Sequence, residues 1–174
     1  MLMRKFWPLL MAGSVGAMSV QAAPADTYEL LVGSYTAGSS EGIYRLQFDS
    51  RTGQFQGKPV LAAKAANPSW LTVSKDQQHL FVVNENGPGQ QDAVGRVSSY
   101  RIDPQNHQLT LINQVQSLGS EPTHSSVAAD GRYLFVANYS VLEEPGGSLA
   151  ILPLDAQGKL SAPVQLSEIG RAHV

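Results

Sequence analysis

Four histidines and no cysteine bound the chemistry open to this 174-residue chain. Without cysteine, disulfides, thiolate catalysis and Cys-based metal sites are excluded, and so is a lipid-modified N-terminal Cys. His124 is the sharpest candidate. It sits in Pro122-Thr123-His124, and the matching position 54 residues earlier, in Pro68-Ser69-Trp70, holds a Trp. A scaffold that accepts either residue does not demand an imidazole there. A neutral imidazole can activate water near physiological pH, and the alternative is a histidine that only hydrogen-bonds a neighbour. Glu85 is a second proton-transfer group, a substrate contact or a solvated loop carboxylate. Asn84, Asn138, Tyr139 and Tyr35 are candidate substrate-binding groups, although asparagines at strand ends also close turns. Arg96 begins a strand on the same side and can meet an anion. Glu143-Glu144 are paired loop carboxylates. His79 and His107 are expected near turns on the opposite side. There is no Gly-x-Ser-x-Gly elbow, phosphate loop, His-Glu-x-x-His or EF-hand pattern.

These groups are tied together by a repeat. Leu31-Val32-Gly33-Ser34-Tyr35, Phe81-Val82-Val83-Asn84-Glu85 and Phe135-Val136-Ala137-Asn138-Tyr139 are apolar runs that end in small or polar residues. From Pro68/Pro122 to Asn84/Asn138 the Pro, Val, Asp, Leu, Phe, Val and Asn positions match at a constant offset of 54. After each run come a Gly, an alternating segment and an Asp: Gly42 to Asp49, Gly95 to Asp103, Gly147 to Asp155. Periods of this size mark repeat architectures.

Short runs of Val, Leu, Tyr and Thr bounded by Gly, Asp and Asn favour strands. The second unit predicts strands at 69–74, 79–84, 97–102 and 109–115, and the third at 124–128, 133–138, 148–154 and 160–165. Asp130-Gly131 predicts a type I′ hairpin; Thr52-Gly53, Asn106-His107 and Gln157-Gly158 serve the later turns. Four antiparallel strands per unit, repeated, read as β-propeller blades, with a sandwich as the alternative. The first unit enters at Tyr28–Val32, which aligns with second strands, so its innermost strand is lacking. The expected fold is all-β: a partial propeller of just under three four-stranded blades. Innermost strands start, and second strands end, at the same rim. That rim gathers His124, Glu85, Asn84, Asn138, Tyr139 and Tyr35.

Arg4 and Lys5, then the apolar stretch 6–20, then Val20-Gln21-Ala22, read as a signal peptide cleaved after Ala22. Residues 23–168 form the propeller portion. The last six residues, 169–174, break the pattern and resemble one translated frame of a sequencing adapter, so they are expected to be a non-native tail. The net charge of −2 gives no argument for nucleic acid or an acidic membrane. A cysteine-free chain with this leader suits the bacterial periplasm or secretion, with no membrane attachment after cleavage.

Several segments together resemble the lactonase family of seven-bladed β-propellers, which includes propeller-type 6-phosphogluconolactonases and carboxymuconate cyclases. They are Val32-Gly33-Ser34-Tyr35-Thr36 with Gly42-Ile43-Tyr44, Asn67-Pro68-Ser69-Trp70-Leu71 with Val83-Asn84-Glu85, Pro122-Thr123-His124 with Asp130-Gly131-Arg132-Tyr133 and Ala137-Asn138-Tyr139, and Gly147-Ser148-Leu149-Ala150 with Gly158-Lys159-Leu160. The resemblance implies seven blades, a small-molecule lactone substrate, no required cofactor and a catalytic His matching His124. It also implies further Arg and Glu groups on missing blades of the full-length chain, leaving this fragment inactive alone. Val141-Leu142-Glu143-Glu144-Pro145 departs from the family pattern. Two other readings stay open. One is a non-catalytic propeller that binds a peptide, glycan or protein partner. The other is a metal-assisted propeller in which Glu85 and Asn138 offer oxygen ligands to Ca²⁺.

Overall fold

A computed structural model describes residues 26–140 and 147–169. The expected leader, the Glu143-Glu144 pair, His173 and the tail beyond Ile169 lie outside the described residues. Those residues hold eleven strands and no helix. The first sheet is β1 (Thr27–Gly33), β2 (Gly42–Asp49) and β3 (Gln54–Lys64), in that order. The second is β4 (Pro68–Val73), β5 (His79–Asn84), β6 (Arg96–Ile102) and β7 (Leu109–Gln116). The third is β8 (Ser120–Val127), β9 (Tyr133–Ser140), β10 (Leu149–Pro153) and β11 (Gln165–Ser167). Each sheet is a run of antiparallel neighbours, and β4 touches both β1 and β8. The sheets therefore stack as successive blades, with β4 and β8 the inner strands of the second and third and β1 packed on β4 as β5 is on β8.

The sequence of β5 explains the stacking. His79-Leu80-Phe81-Val82-Val83-Asn84 shows no polar alternation because both faces of its sheet are covered. Leu80 and Val82 join Ile43 of β2 and Tyr100 of β6 in one apolar cluster. Phe81 and Val83 point the other way and meet Leu134 and Val136 of β9, Ala150 and Leu152 of β10, and Leu160. Fully burying one such side chain stabilises by roughly 1.5–3 kcal/mol. The blades also need close backbone approach. Gly33 ends β1 against Pro68, and any side chain there would collide with the Pro68 carbonyl.

Two sequence expectations are corrected. The Asp130-Gly131 hairpin is not type I′. Gly131 N–H donates to the Ala128 carbonyl at 2.8 Å, and only Gly131 takes a left-handed φ, +74°, while Asp130 does not. A turn followed by one left-handed residue also matches the twist of the flanking strands. Asp130 Oδ1 completes it by accepting Arg132 N–H at 3.0 Å. The outer strand expected at 160–165 is β11, at 165–167. Leu160 makes a single bridge to Leu154. Its backbone is otherwise held by the Asn113 side chain of β7, which accepts from Leu160 N–H at 3.0 Å and donates to Leu160 O at 2.8 Å. Pro163, which has no N–H, follows, and the ladder resumes only at Gln165.

Candidate active site

The rim is shaped by two prolines at repeat-equivalent positions. Pro68 pairs with Asn84 and Pro122 with Asn138, and each pairing is followed by a bulge, at Ser69 and at Thr123. A bulge bends its strand and re-aims the next side chain. Those next side chains are Trp70 and His124. The residues before the prolines, Asn67 and Glu121, both have left-handed backbones, with φ of +40° and +54°. Asn tolerates this conformation and Glu rarely adopts it. Asn67 is anchored: its Oδ1 accepts Thr36 N–H at 3.1 Å and its Nδ2 donates to Asn86 Oδ1 at 3.1 Å. Glu121 N–H donates to Asn86 O at 2.8 Å, and its side chain lies over Gly87 in space that a Cβ at Gly87 would need.

Tyr35 and Glu85, predicted from the repeat to share this rim, are brought together. The Tyr35 hydroxyl donates to Glu85 Oε2 at 2.7 Å. That bond, then burial, then the Glu85 charge push the phenol up to about 12; the Glu121 charge adds to this and a bond with Ser69 opposes it. Tyr35 is thus a hydrogen-bond donor at neutral pH and no base. Glu121 and Ser69 belong to this cluster and were missed by the sequence reading. The signal was present, since Glu121 stands at the position of Asn67 at the offset of 54.

His124 is exposed on β8. Its ring packs against Trp70 with centroids 4.4 Å apart and planes tilted by 44°. Tyr139 is 54% exposed at the same rim. The two asparagines depart from their expected substrate-facing role. Asn84 is 0% exposed: its Nδ2 donates to Ala66 O at 2.7 Å, and its Oδ1 accepts from Ser98 Oγ at 2.7 Å and Gln114 Nε2 at 3.2 Å. Asn138 is 5% exposed and its Nδ2 donates to Gly147 O at 2.8 Å. Both tie the end of a second strand to loop backbone beneath the rim, because a buried amide is stable only when hydrogen-bonded. Arg96, the expected anion contact, pairs with Asp92 at 3.0 Å and holds that carboxyl below its usual range.

His79 and His107, the other histidines among the described residues, lie elsewhere, as expected. His79 stacks on Phe81, with Gly158 directly over its ring. His107 Nδ1 lies 3.0 Å from Glu29 Oε1, joining the first and second blades. A cavity of about 820 Å³ opens at the opposite end, between the 74–79 and 128–131 turns, and contains none of the candidate residues. Among the described residues no three His, Asp or Glu side chains cluster as metal ligands.

Radially stacked antiparallel sheets, one of three strands and two of four among the described residues, with polar and aromatic groups from successive blades at one mouth, define a β-propeller. The chain belongs to the lactonase family, 7-bladed beta-propellers, whose family model matches residues 29–172. It is similar in structure to the periplasmic gluconolactonase of Pseudomonas aeruginosa, with 55% identity and a TM-score of 0.73 over 80% of this chain and 38% of that one. It is 34% identical over 133 residues to the 6-phosphogluconolactonase of Bacillus subtilis, covering 76% of this chain and 35% of the relative. A 6-phosphogluconolactonase of Pectobacterium atrosepticum is 46% identical over 70 residues, 40% of this chain and 19% of that protein. The chain thus spans little more than a third of the first two relatives.

Proposed function

We propose that this chain supplies part of the active site of a lactone hydrolase that opens a sugar lactone by His-assisted water attack. His124 draws a proton from water as the water oxygen attacks the lactone carbonyl carbon. The ring C–O bond then breaks, and the proton passes to the leaving alkoxide, giving a hydroxy acid. The observation that carries this reading is an exposed imidazole without a polar partner among the described residues, on the same rim as the Tyr35–Glu85 pair. With Asn84 and Asn138 buried and the Tyr35 hydroxyl donating to Glu85, donors to the developing oxyanion fall to Tyr139, to the Arg96 N–H groups that Asp92 does not use and to groups on further blades of a full-length chain. On this reading the present chain is inactive alone, needs no cofactor and derives from a periplasmic protein. The periplasmic relative and the leader-like N-terminus support that location.

The test is turnover of gluconolactone and its 6-phospho form by the full-length protein, wild type against His124→Ala. Loss of a general base should lower kcat by about 100-fold or more while folding persists. Unchanged rates would remove His124 from the mechanism. Absence of turnover in the wild type, with retained binding of a glycan or protein, would favour a non-catalytic propeller.

A further inference from the structure

The geometry points to Trp70 as the positioning residue for His124, an assignment that rests on the catalytic reading of that histidine. A general base normally needs a third group to orient it. No hydrogen bond does so for His124 among the described residues, and an imidazole's χ2 torsion is intrinsically broad. What holds the ring is the Trp70 indole, with centroids 4.4 Å apart.

The contact follows from the architecture. Trp70 and His124 occupy the same repeat position on consecutive inner strands, each one residue past a bulge. Equivalent positions on adjacent blades are neighbours around the hub. The indole is itself fixed. Its Nε1–H donates to Ser125 O at 3.1 Å, so Trp70 holds both the ring of His124 and the carbonyl of the next residue. Thr72 reinforces the join: its hydroxyl lies 3.1 Å from the same Nε1 and donates to Ser125 O at 2.9 Å. An aromatic ring on one side of the imidazole leaves the other side open to water and substrate. Trp70 nevertheless remains 42% exposed, more than a side chain serving only to fill the core would be.

The test uses the full-length protein with Trp70→Leu and Trp70→Phe. Misplacement of a catalytic group without loss of binding should lower kcat by about tenfold or more in Trp70→Leu, with KM little changed. Trp70→Phe, which keeps a ring against the imidazole, should recover most of the rate. In the wild type, the indole ring current should shift the His124 ring-proton resonances upfield, and Trp70→Leu should abolish that shift. Wild-type kcat in a folded Trp70→Leu variant would overturn the assignment. So would unshifted His124 resonances in the wild type, a readout that stands even if the leucine variant does not fold. A silent His124→Ala variant would instead overturn the catalytic reading, while the resonance shift would still report whether the indole holds the ring.

Discussion

Among the described residues the buried amide oxygen of Asn138 has no donor, and the repeat explains why. In the preceding blade the equivalent Asn84 Oδ1 receives Ser98 Oγ and Gln114 Nε2. Ser98 pairs with Val82 on one side and Gln114 on the other. The corresponding residues of the third blade are Ala150, paired with Val136, and Leu166. Two apolar substitutions have thus removed both donors while the acceptor stays. Ala150→Ser should restore one and stabilise the protein by about 1 kcal/mol, measured as a shift in the urea midpoint of the full-length protein. No gain would mean that the added hydroxyl finds another acceptor. Glu121 shows the opposite situation: its left-handed backbone before a proline is a cost that its blade-two counterpart, Asn67, bears more easily.

At the scale of the element, the blade is built from reused turns. The 128–131 turn has its equivalent at 74–77, where Gln77 N–H donates to Ser74 O at 2.9 Å and Gln77 takes φ of +60° in the place of Gly131. A non-glycine residue in this region costs about 1–2 kcal/mol. Gln77→Gly should therefore raise stability by up to about 1 kcal/mol, since added unfolded-state entropy offsets part of the relief. Thermal melts of the two proteins check this, and a lower Tm would mean that the Gln77 side chain contributes more than its backbone costs. The later turns reuse an aspartate instead. Asp103 Oδ1 accepts Gln105 and Asn106 N–H, and these bonds hold its carboxyl below the usual range; Asp155 Oδ1 accepts Gln157 and Lys159 N–H.

At the scale of the whole molecule, stability resides between blades. Phe81 stands in the cluster shared by the second and third blades, 2% exposed. Phe81→Ala should cost about 3–5 kcal/mol and lower the denaturation midpoint accordingly; a loss below about 1 kcal/mol would show that the blades do not depend on this contact. The architecture was legible in the chain because its causes are local and repeated: the apolar run Leu80–Val83 lies within β5, and the offsets of 50 and 54 place Tyr35, Glu85, Tyr139 and His124 at one rim. The misreadings have long-range causes. Asn113, 47 residues away, holds Leu160 and delays β11. Asn84 and Asn138 looked available because a strand-end amide gives no sign, in sequence, of the loop that will cover it. Periodicity, turn residues and the repeat, being properties of neighbours along the chain, determined blade, register and rim. Only the packing of one blade on the next decided which polar groups remain exposed, that Tyr35 donates to Glu85, and that Trp70 holds His124, because those contacts join residues some fifty positions apart.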